Sequence, residues 1–349
     1  MKQELLEHIV CPRCSGEFEL KNKTEKNGEV FEGTLICDRL HRFHVTKGVP
    51  RLIVPDSKTI KSQTIRAFSK KWHYFERACS PKRWMKLQYK WYLDRYWGGN
   101  ESRFKRFLQT RRLILDAGTG IGHSAKWLSA NPKAQVFAID LSEGIDVAYK
   151  NYGKTDNIHF MQADLTKLPF KMKFDFILSD QVLMNTANTV NSFRYLTKFL
   201  ARNGVIGIYV YKKKGPIREF CDDYIRSKVK SMPVKEALKL SRAITLLGRN
   251  LAKLNAKITV PEDISVLGIK KGKYDLQRFI YWHVLKCFWS EDPNVDMDTS
   301  IAVNFDWYYP EYGHRHEPDE VRSWFAREKL KILRFDVIYS GISVMGKKL

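Results

Sequence analysis

Short apolar runs alternate with helical stretches through the middle of the chain. The predicted strands lie near Leu113–Asp116, Gln135–Asp140, Ile158–Met161, Phe174–Leu178 and Val205–Tyr211. The predicted helices between them lie near Ser124–Ala130, Gly144–Asn151 and Val190–Ala201. Because each apolar run is followed by a segment of helical period, the pattern predicts an α/β domain with a parallel sheet and right-handed crossovers.

The flanking segments have other patterns, and they divide the chain into five predicted parts. A head (1–56) precedes an aromatic and basic helical connector (57–107), the α/β core (108–212), a mostly helical insertion (213–317) and a closing segment (318–349). The insertion contains a helical run over Val234–Ala256. The closing segment predicts a helix over Pro318–Lys329 and strands over Lys331–Tyr339 and Ile342–Gly346.

Composition narrows the class of protein without naming a partner. A chain of 349 residues can hold more than one domain, and its formal charge of +23 suits either a polyanion such as nucleic acid or a basic surface without a partner. No uncharged run approaches the roughly 20 residues that a bilayer span needs, and acids occupy the N-terminus where a signal peptide would be apolar. We therefore expect a cytoplasmic protein.

Four residues of the head have the spacing of a metal site. Cys11 and Cys14 form a Cys-x2-Cys knuckle, and Cys37 and His41 follow after alternating apolar residues that suit a hairpin. Three thiolates and one imidazole make a closed tetrahedral shell, so we expect a structural Zn²⁺ site. His44 is the alternative fourth ligand, although its distance from Cys37 along the chain suits a knuckle less well.

The connector carries tryptophan, tyrosine and phenylalanine among lysine and arginine, at spacings mostly compatible with helices. Such aromatic residues form either a hydrophobic core or a surface facing a ligand. Of the ligand-facing possibilities, we expect a helical cap over a pocket rather than a platform for stacked bases, because the connector leads directly into the first core strand.

The segment Leu113-Ile114-Leu115-Asp116-Ala117-Gly118-Thr119-Gly120-Ile121-Gly122 predicts a strand, a tight turn and the start of a helix. A dinucleotide fingerprint requires Gly-x-Gly-x-x-Gly, whereas here the third glycine comes one residue early and His123 takes the last position. Asp116 also ends the strand, where a carboxylate suits an ammonium group better than a pyrophosphate. These features favour the amino-acid end of S-adenosylmethionine as the ligand of this loop.

With these residues, the span Leu113 to Tyr211 resembles the class I S-adenosylmethionine-dependent methyltransferases. The resemblance implies a Rossmann-like, seven-stranded sheet in which the last strand inserts antiparallel. It implies that Asp140, followed by Leu141, binds the ribose hydroxyls, and that Asp164 meets the adenine amino group with Leu165 against the ring. It also places Ser179 and the residues after it beside the site of methyl transfer. The full set of predicted cofactor residues is Asp116, Gly118, Thr119, Gly120, Gly122, Asp140, Leu141, Asp164, Leu165 and Ser179.

The head is similar to the zinc ribbon in front of certain ribosomal RNA guanine methyltransferases, where Cys-x2-Cys is completed by Cys-x3-His. It is also similar to small zinc proteins that partner methyltransferases, which continue into a segment like Gly48-Val49-Pro50-Arg51-Leu52. The second Cys-x2-Cys pair of those proteins is absent, since residue 40 is leucine. This departure favours His41 as the ligand.

The methyl acceptor is not indicated by any motif. Ser179-Asp180-Gln181 contains neither the Asn/Asp-Pro-Pro-aromatic motif for exocyclic amines nor a Pro-Cys nucleophile. The candidate general bases are Asp180, Tyr312, His314 and His316, of which the last three lie where the insertion returns to the sheet.

The leading hypothesis is an enzyme that methylates oxygen or nitrogen of a small or carbohydrate-like acceptor held beneath the insertion. The alternatives are an RNA methyltransferase that uses the zinc ribbon and the basic charge, and a non-catalytic protein that binds the cofactor or docks a partner.

Overall fold

The computed structural model describes residues 1–54, 63–78 and 81–349. Its strands are β1 (Phe18–Lys26), β2 (Glu29–Cys37), β3 (Arg42–Thr46), β4 (Val49–Leu52), β5 (Leu113–Ala117), β6 (Gln135–Asp140), β7 (Ile158–Ala163), β8 (Phe174–Asp180), β9 (Leu200–Lys212), β10 (Lys257–Val260), β11 (Gly272–Asp275), β12 (Arg315–His316), β13 (Leu330–Val337) and β14 (Gly341–Lys348). Its helices are α1 (Gln63–Ala78), α2 (Pro81–Trp97), α3 (Glu101–Gln109), α4 (His123–Leu128), α5 (Gly144–Tyr152), α6 (Thr189–Thr197), α7 (Pro216–Val229), α8 (Val234–Lys253), α9 (Leu276–His283), α10 (Met297–Tyr308) and α11 (Pro318–Arg327).

The core sheet has the strand order β7-β6-β5-β8-β9-β14-β13. The five strands from β5 to β9 pair parallel with their neighbours, whereas β14 pairs antiparallel with both β9 and β13. The predicted mixed α/β fold and the antiparallel insertion of the last strand are therefore confirmed. Because β5 to β8 run parallel, the residues that follow them meet at one edge of the sheet.

The N-terminal head continues this sheet. Its strands β1 to β4 pair antiparallel in succession, and β4 then pairs parallel with β7 through Arg51 opposite Gln162 and Leu52 opposite Ala163. The head thereby covers the edge of β7, which would otherwise expose unpaired backbone groups. The sequence pattern predicted the hairpin but not this continuity with the core.

One predicted helix ends earlier than expected. The prediction ran from Val190 to Ala201, but α6 ends at Thr197 and β9 begins at Leu200. Leu200 is buried and pairs with Phe174, so packing against the sheet decides its conformation rather than local helical period.

The connector packs between the core and the insertion. On α2, Tyr92, Tyr96 and Trp97 are buried in the hydrophobic cluster that covers one face of the sheet. On α1, Ala67 belongs instead to the insertion's cluster. The connector was predicted to span 57–107; its first residues, 57–62, and residues 79–80 lie outside the described part of the chain, as does the predicted boundary after residue 56.

The insertion between β9 and α11 is built mainly of helices α7 to α10, with a hairpin of β10 and β11 that the sequence pattern did not predict. Its core includes Tyr281, Phe305, Trp307 and Tyr308. At its end, β12 pairs parallel with Tyr211 and Lys212 of β9, so both ends of the insertion are held at one strand. Among the described residues, no helix combines the length and the apolar character needed to cross a membrane.

Candidate active site

A large cavity lies at the carboxyl edge of the core sheet. Its volume is about 1200 Å³, and its wall combines the loops after β5, β6, β7 and β8 with the connector and the insertion. A pocket for one drug-sized ligand typically has a volume of about 300–1,000 Å³. This cavity is therefore larger than the typical site for one such ligand.

The glycine loop forms part of the wall and has no room for side chains. Gly118 has φ of +97°, and a Cβ on it would lie 2.4 Å from a methyl carbon of Val182. A Cβ on Gly120, whose φ is +57°, would lie 2.8 Å from the indole of Trp72. The backbone N–H groups of Gly118 and Thr119 both donate to the carbonyl of Ile139, at 2.8 and 2.9 Å. The loop is therefore held against the end of β6, with its backbone facing the cavity.

Asp140 at the end of β6 connects this loop to the next one. Its Oδ2 accepts a hydrogen bond from the N–H of Gly120 at 2.8 Å. Its Oδ1 accepts from the N–H and hydroxyl of Ser142 at 2.8 and 2.6 Å. Burial raises the pKa of Asp140, and the hydrogen bonds from Ser142 and Gly120 oppose that rise. Asp140 and Leu141 both line the cavity.

Asp164 follows β7 and presents an unpaired oxygen. Its Oδ1 accepts hydrogen bonds from the N–H and hydroxyl of Thr166 at 2.8 and 2.7 Å. Its Oδ2 is buried and has no hydrogen-bond partner among the described residues. Because buried polar atoms are nearly always paired, this oxygen suits a donor on a bound molecule. Leu165 lies beside it on the cavity wall.

Three predicted cofactor residues are buried and do not belong to the cavity lining: Asp116, Gly122 and Ser179. Asp116 accepts a hydrogen bond from the hydroxyl of Ser124 at 2.7 Å, and burial raises its pKa to about 6. Because this pKa lies below 7, Asp116 is ionised at neutral pH beneath the glycine loop. Ser179 donates to the carbonyl of Ala117 at 3.0 Å and so joins β8 to β5.

The opposite end of the cavity carries cations and aromatic rings. Lys286, in the loop after α9, is 7% exposed, and its Nζ lies 4.2 Å from the centre of the Trp307 ring. Burial lowers the pKa of Lys286 to about 7. Lys214, just before α7, donates from Nζ to the carbonyl of Lys212 at 2.6 Å, and burial lowers its pKa to about 7 as well.

Arg218 on α7 lies beside these lysines. It is buried, its Nε donates to Asp222 at 2.9 Å, and its Nη1 donates to the carbonyl of Tyr281. Its guanidinium carbon lies 5.6 Å from the centre of the same Trp307 ring that Lys286 covers. The insertion thus brings Arg218 and Lys286 to one aromatic side chain.

Comparison with known proteins identifies the core. Residues 115–208 match a family model described as a methyltransferase domain. The chain carries a methyltransferase domain. The match spans β5 to most of β9 and includes the glycine loop, Asp140 and Asp164. The expectation of a methyltransferase enzyme is confirmed, while the acceptor is left open. A search of curated proteins finds no match.

Three solved structures resemble the chain over long spans at low identity. A magnesium protoporphyrin IX methyltransferase (ChlM) from Synechocystis PCC 6803 with bound SAH is 14% identical over 84% of this chain and 100% of its own, with a TM-score of 0.44. A SAM dependent methyltransferase from Aquifex aeolicus is 12% identical over 80% of this chain and 98% of its own, with a TM-score of 0.39. An O-methyltransferase family 2 protein from Planctomyces limnophilus DSM 3776, in complex with apigenin, is 14% identical over 68% of this chain, with a TM-score of 0.37, and this chain spans about half (51%) of its length.

Of the candidate bases of this methyltransferase, Asp180 lines the cavity but already has partners. Both of its oxygens accept hydrogen bonds from Nη1 of Arg95, at 3.0 and 2.8 Å. The hydroxyl of Tyr96 donates to Oδ1 at 2.9 Å, and Arg95 itself lies 4.2 Å from the centre of the Tyr209 ring. To act as a base, Asp180 would have to weaken a charge-assisted pair, which is costly in a buried position.

The other three candidate bases come from the end of the insertion, and one of them reaches the cavity. Tyr312 belongs to the lining, whereas His314 and His316 do not. A ring nitrogen of His314 lies 3.1 Å from the carbonyl of Thr186. Nδ1 of His316 lies 2.9 Å from Glu320, and burial lowers the pKa of His316. The two histidines therefore have structural partners at the insertion's return to the sheet.

The four predicted metal ligands of the head lie together. The ligand atoms of Cys11, Cys14, Cys37 and His41 all lie within 4.8 Å of one another. Nδ1 of His41 is 3.5 Å from Sγ of Cys11 and 3.4 Å from Sγ of Cys37. His44 is exposed on β3, opposite Thr34. The geometry suggests a metal site made of the four predicted residues.

The cationic end of the cavity was not found by sequence reasoning. One signal was present: Lys286 is the only charged residue in Val284-Leu285-Lys286-Cys287-Phe288-Trp289. Lysine is rarely fully buried unless it has a partner, so a lysine inside an apolar run is either exposed or paired with another group. Lys214 and Arg218 carried no such signal, because they lie in a strongly basic stretch.

Proposed function

We propose that the protein transfers the methyl group of S-adenosylmethionine to an oxygen or nitrogen of a small or carbohydrate-like acceptor. The observation that supports this most is the single large cavity, which joins the acids of the strand ends to the aromatic and cationic insertion. One end suits an aminoacyl nucleoside, and the remaining volume suits a small acceptor.

The residues at the cofactor end fit the parts of S-adenosylmethionine. Asp140 lines the cavity, and the loops at Gly120 and Ser142 hold its carboxylate, so it would accept hydrogen bonds from the ribose hydroxyls. The unpaired Oδ2 of Asp164 would accept from the adenine amino group, with Leu165 against the ring. The glycine loop would admit the aminoacyl end, and the charge of Asp116 beneath it would favour the ammonium group.

When bound, S-adenosylmethionine supplies a methyl group activated by a sulfonium. The protein's part is to align the acceptor atom with that methyl group, exclude water and receive the acceptor's proton. Of the four bases considered, Tyr312 and Asp180 lie on the cavity wall. Arg95 and Tyr96 hold Asp180 in place, so we assign it first to shaping the site beside the methyl group.

Transfer of labelled methyl groups tests the proposal. The full chain is incubated with methyl-labelled S-adenosylmethionine and cell extract, which is then separated into RNA, protein and small-molecule fractions. We expect label in the small-molecule fraction, and none when Asp140→Ala replaces the wild type. Label confined to RNA or protein would contradict the proposed acceptor, and no label in any fraction would contradict the activity.

An RNA acceptor is the second candidate, because the net charge is +23 and the head resembles the ribbon of RNA-modifying enzymes. When a protein binds RNA through its phosphates, the logarithm of the affinity falls linearly with the logarithm of the salt concentration. Titration of tRNA and rRNA fragments at several salt concentrations separates the two hypotheses. Saturable, salt-sensitive binding in the micromolar range would favour RNA, and its absence would leave the small acceptor.

For the head, we propose a structural Zn²⁺ bound by Cys11, Cys14, Cys37 and His41. Their closed set of four ligands leaves no position for a substrate, so the ion would stabilise the ribbon that covers the edge of β7. Metal content should fall in Cys37→Ser and His41→Ala and stay unchanged in His44→Ala. Loss of metal in His44→Ala with retention in His41→Ala would overturn this ligand set.

A further inference from the structure

The two ends of the cavity differ in charge, and the difference points to the chemistry of the acceptor. Arg218 and Lys286 lie over the ring of Trp307, and Arg226 donates a hydrogen bond to its backbone carbonyl. The neighbouring carboxylates Asp306 and Asp222 each hold a cation. Lys71 forms an ion pair with Asp306, and Arg218 forms one with Asp222. Arg226 is held by the backbone carbonyls of Trp307 and Pro310, whereas Nζ of Lys286 has neither an ion pair nor a hydrogen bond among the described residues.

The remaining carboxylates of this end are held elsewhere. Asp292 accepts the N–H and the side-chain amide of Asn294, both at 2.8 Å. Asp336 lies 3.9 Å from Arg334. Within the described residues, Lys286 forms no ion pair, and its Nζ lies over the face of the Trp307 ring. A second cation, Lys214, binds the backbone carbonyl of Lys212 rather than a carboxylate.

A buried cation without a counter-ion is costly, and a bound ligand of opposite charge would offset that cost. Lys286 and Lys214 both line the cavity, and both belong to the insertion rather than to the strand ends that carry Asp140 and Asp164. Arg218 lies with them and orients its guanidinium through Asp222 and the carbonyl of Tyr281. The hydroxyl of Tyr308, at the end of α10, also donates to Asp222 at 3.1 Å and helps to fix the carboxylate that orients Arg218.

We infer that the methyl acceptor carries an anionic group, a carboxylate or a phosphate, which Lys286 binds together with Lys214 and Arg218. This inference rests on the proposed function and names the class of its substrate. The rings of Tyr281, Trp282 and Trp307 line the same part of the cavity and would contact the body of the acceptor. A neutral acceptor would offer Lys286 no opposite charge.

Fractionation of the acceptor tests the inference. A small-molecule extract is passed over an anion exchanger at pH 7.5, and the bound and unbound pools are then each incubated with the full chain and methyl-labelled S-adenosylmethionine. We expect the bound pool to accept label. If phosphatase treatment of that pool abolishes transfer, the group is a phosphate. If transfer survives phosphatase but the acceptor is no longer retained at pH 2, the group is a carboxylate.

Label accepted only by the unbound pool would overturn the inference and leave the proposed function standing. No label in either pool would count against the proposed function itself, and the inference would fall with it.

Variants assign the anion to its residues. Lys286→Met removes the charge and keeps a long side chain, so the KM for the bound-pool acceptor should rise about 10- to 100-fold, as expected for loss of a hydrogen bond between charged groups. The affinity for S-adenosylmethionine should stay unchanged, which also shows that the variant is folded. Lys214→Met should raise the same KM by a smaller factor.

The matched control is Lys239→Met, which removes an exposed lysine from α8 of the same insertion. Its KM should equal that of the wild type. An unchanged KM in both Lys286→Met and Lys214→Met would overturn the assignment.

Discussion

The proposed cofactor end and the proposed acceptor end of the cavity are built in opposite ways. At the cofactor end, Asp140 and Asp164 follow successive strands, and the backbone of the neighbouring turns holds them. At the acceptor end, Lys71, Lys214 and Lys286 come from the connector, the start of the insertion and the loop after α9, and two of the three lie over aromatic rings. A short chain segment suffices for the first end, whereas the second exists only once distant elements have packed.

This difference in construction corresponds to two binding functions, one for the proposed cofactor and one for the proposed acceptor. The loops of the sheet alone can form a site for a cofactor, because parallel strands present their carboxyl ends at one edge. A site for a particular acceptor requires charge and shape brought from outside the sheet, here by α7, α9 and α10. Because the two ends are formed by separate elements, changes at one end should leave binding at the other end nearly unaffected.

The largest effect is expected from Asp140→Ala. It removes the acceptor for Gly120 and Ser142 and for the predicted ribose hydroxyls. Hydrogen bonds to a charged group contribute about 1.5–3 kcal/mol each, so affinity for S-adenosylmethionine should fall by about 100-fold or more. Calorimetric titration measures it, with the exposed Asp319→Ala as control. Equal affinity in Asp140→Ala and wild type would refute the assignment of this end.

The next effect is a pH dependence of cofactor affinity. Burial raises the pKa of Asp116 to about 6, so this carboxyl is ionised above that pH and neutral below it. Because only the ionised form favours the cofactor's ammonium group, affinity should fall by up to about tenfold per pH unit below pH 6. Titrations between pH 5 and 7.5 measure the slope. The slope should flatten in Asp116→Asn, and an equally steep slope there would assign the dependence to another group.

A smaller effect is expected from Asp164→Ala. Loss of one hydrogen bond between the carboxylate and the adenine amino group should weaken affinity by about tenfold, the low end of the range for a bond to a charged group. The cofactor analogue with hypoxanthine in place of adenine lacks this amino group, so wild type should bind it more weakly than S-adenosylmethionine. Asp164→Ala should bind the two alike. Continued discrimination by the variant would show that Asp164 does not contact the amino group.

The smallest effect concerns stability at the acceptor end. Lys286→Met should raise the free energy of unfolding of the ligand-free protein by about 1 kcal/mol at pH 6, because it removes an uncompensated buried charge. Burial lowers the pKa of Lys286 to about 7, so the folded state carries the charge only below that pH. The gain should therefore shrink as pH rises from 7 toward 10, where the folded protein holds Lys286 neutral.

Urea unfolding at pH 6 and pH 9 measures this gain, with Lys239→Met as the control. A loss of stability in Lys286→Met at pH 6 would indicate that Lys286 is compensated within the protein. The inference of an anionic acceptor would then lose its physical basis.

The sequence alone determined the core strands, the glycine loop, the acids at the strand ends and the four residues of the metal cluster. All of these depend on short spacings: alternation of apolar runs, glycine within a turn, an acid at a strand end, or Cys-x2-Cys. Patterns over such short spacings can be recognised without knowledge of the rest of the chain. Even there, packing overrode one local preference, since Leu200 joins β9 although the helical period continues through it.

Only the tertiary structure decided that β4 extends the core sheet, that Asp180 is paired with Arg95, and that Lys286 and Arg218 meet at Trp307. Arg95 and Asp180, like Lys286 and Arg218, lie far apart in the chain and carry no shared pattern. Their meeting depends on how the connector and the insertion pack against the sheet, which is decided by many weak contacts at once. The residues that we propose for the donor could therefore be named from the sequence one by one, whereas the charges behind the proposed anionic acceptor meet only in the folded cavity.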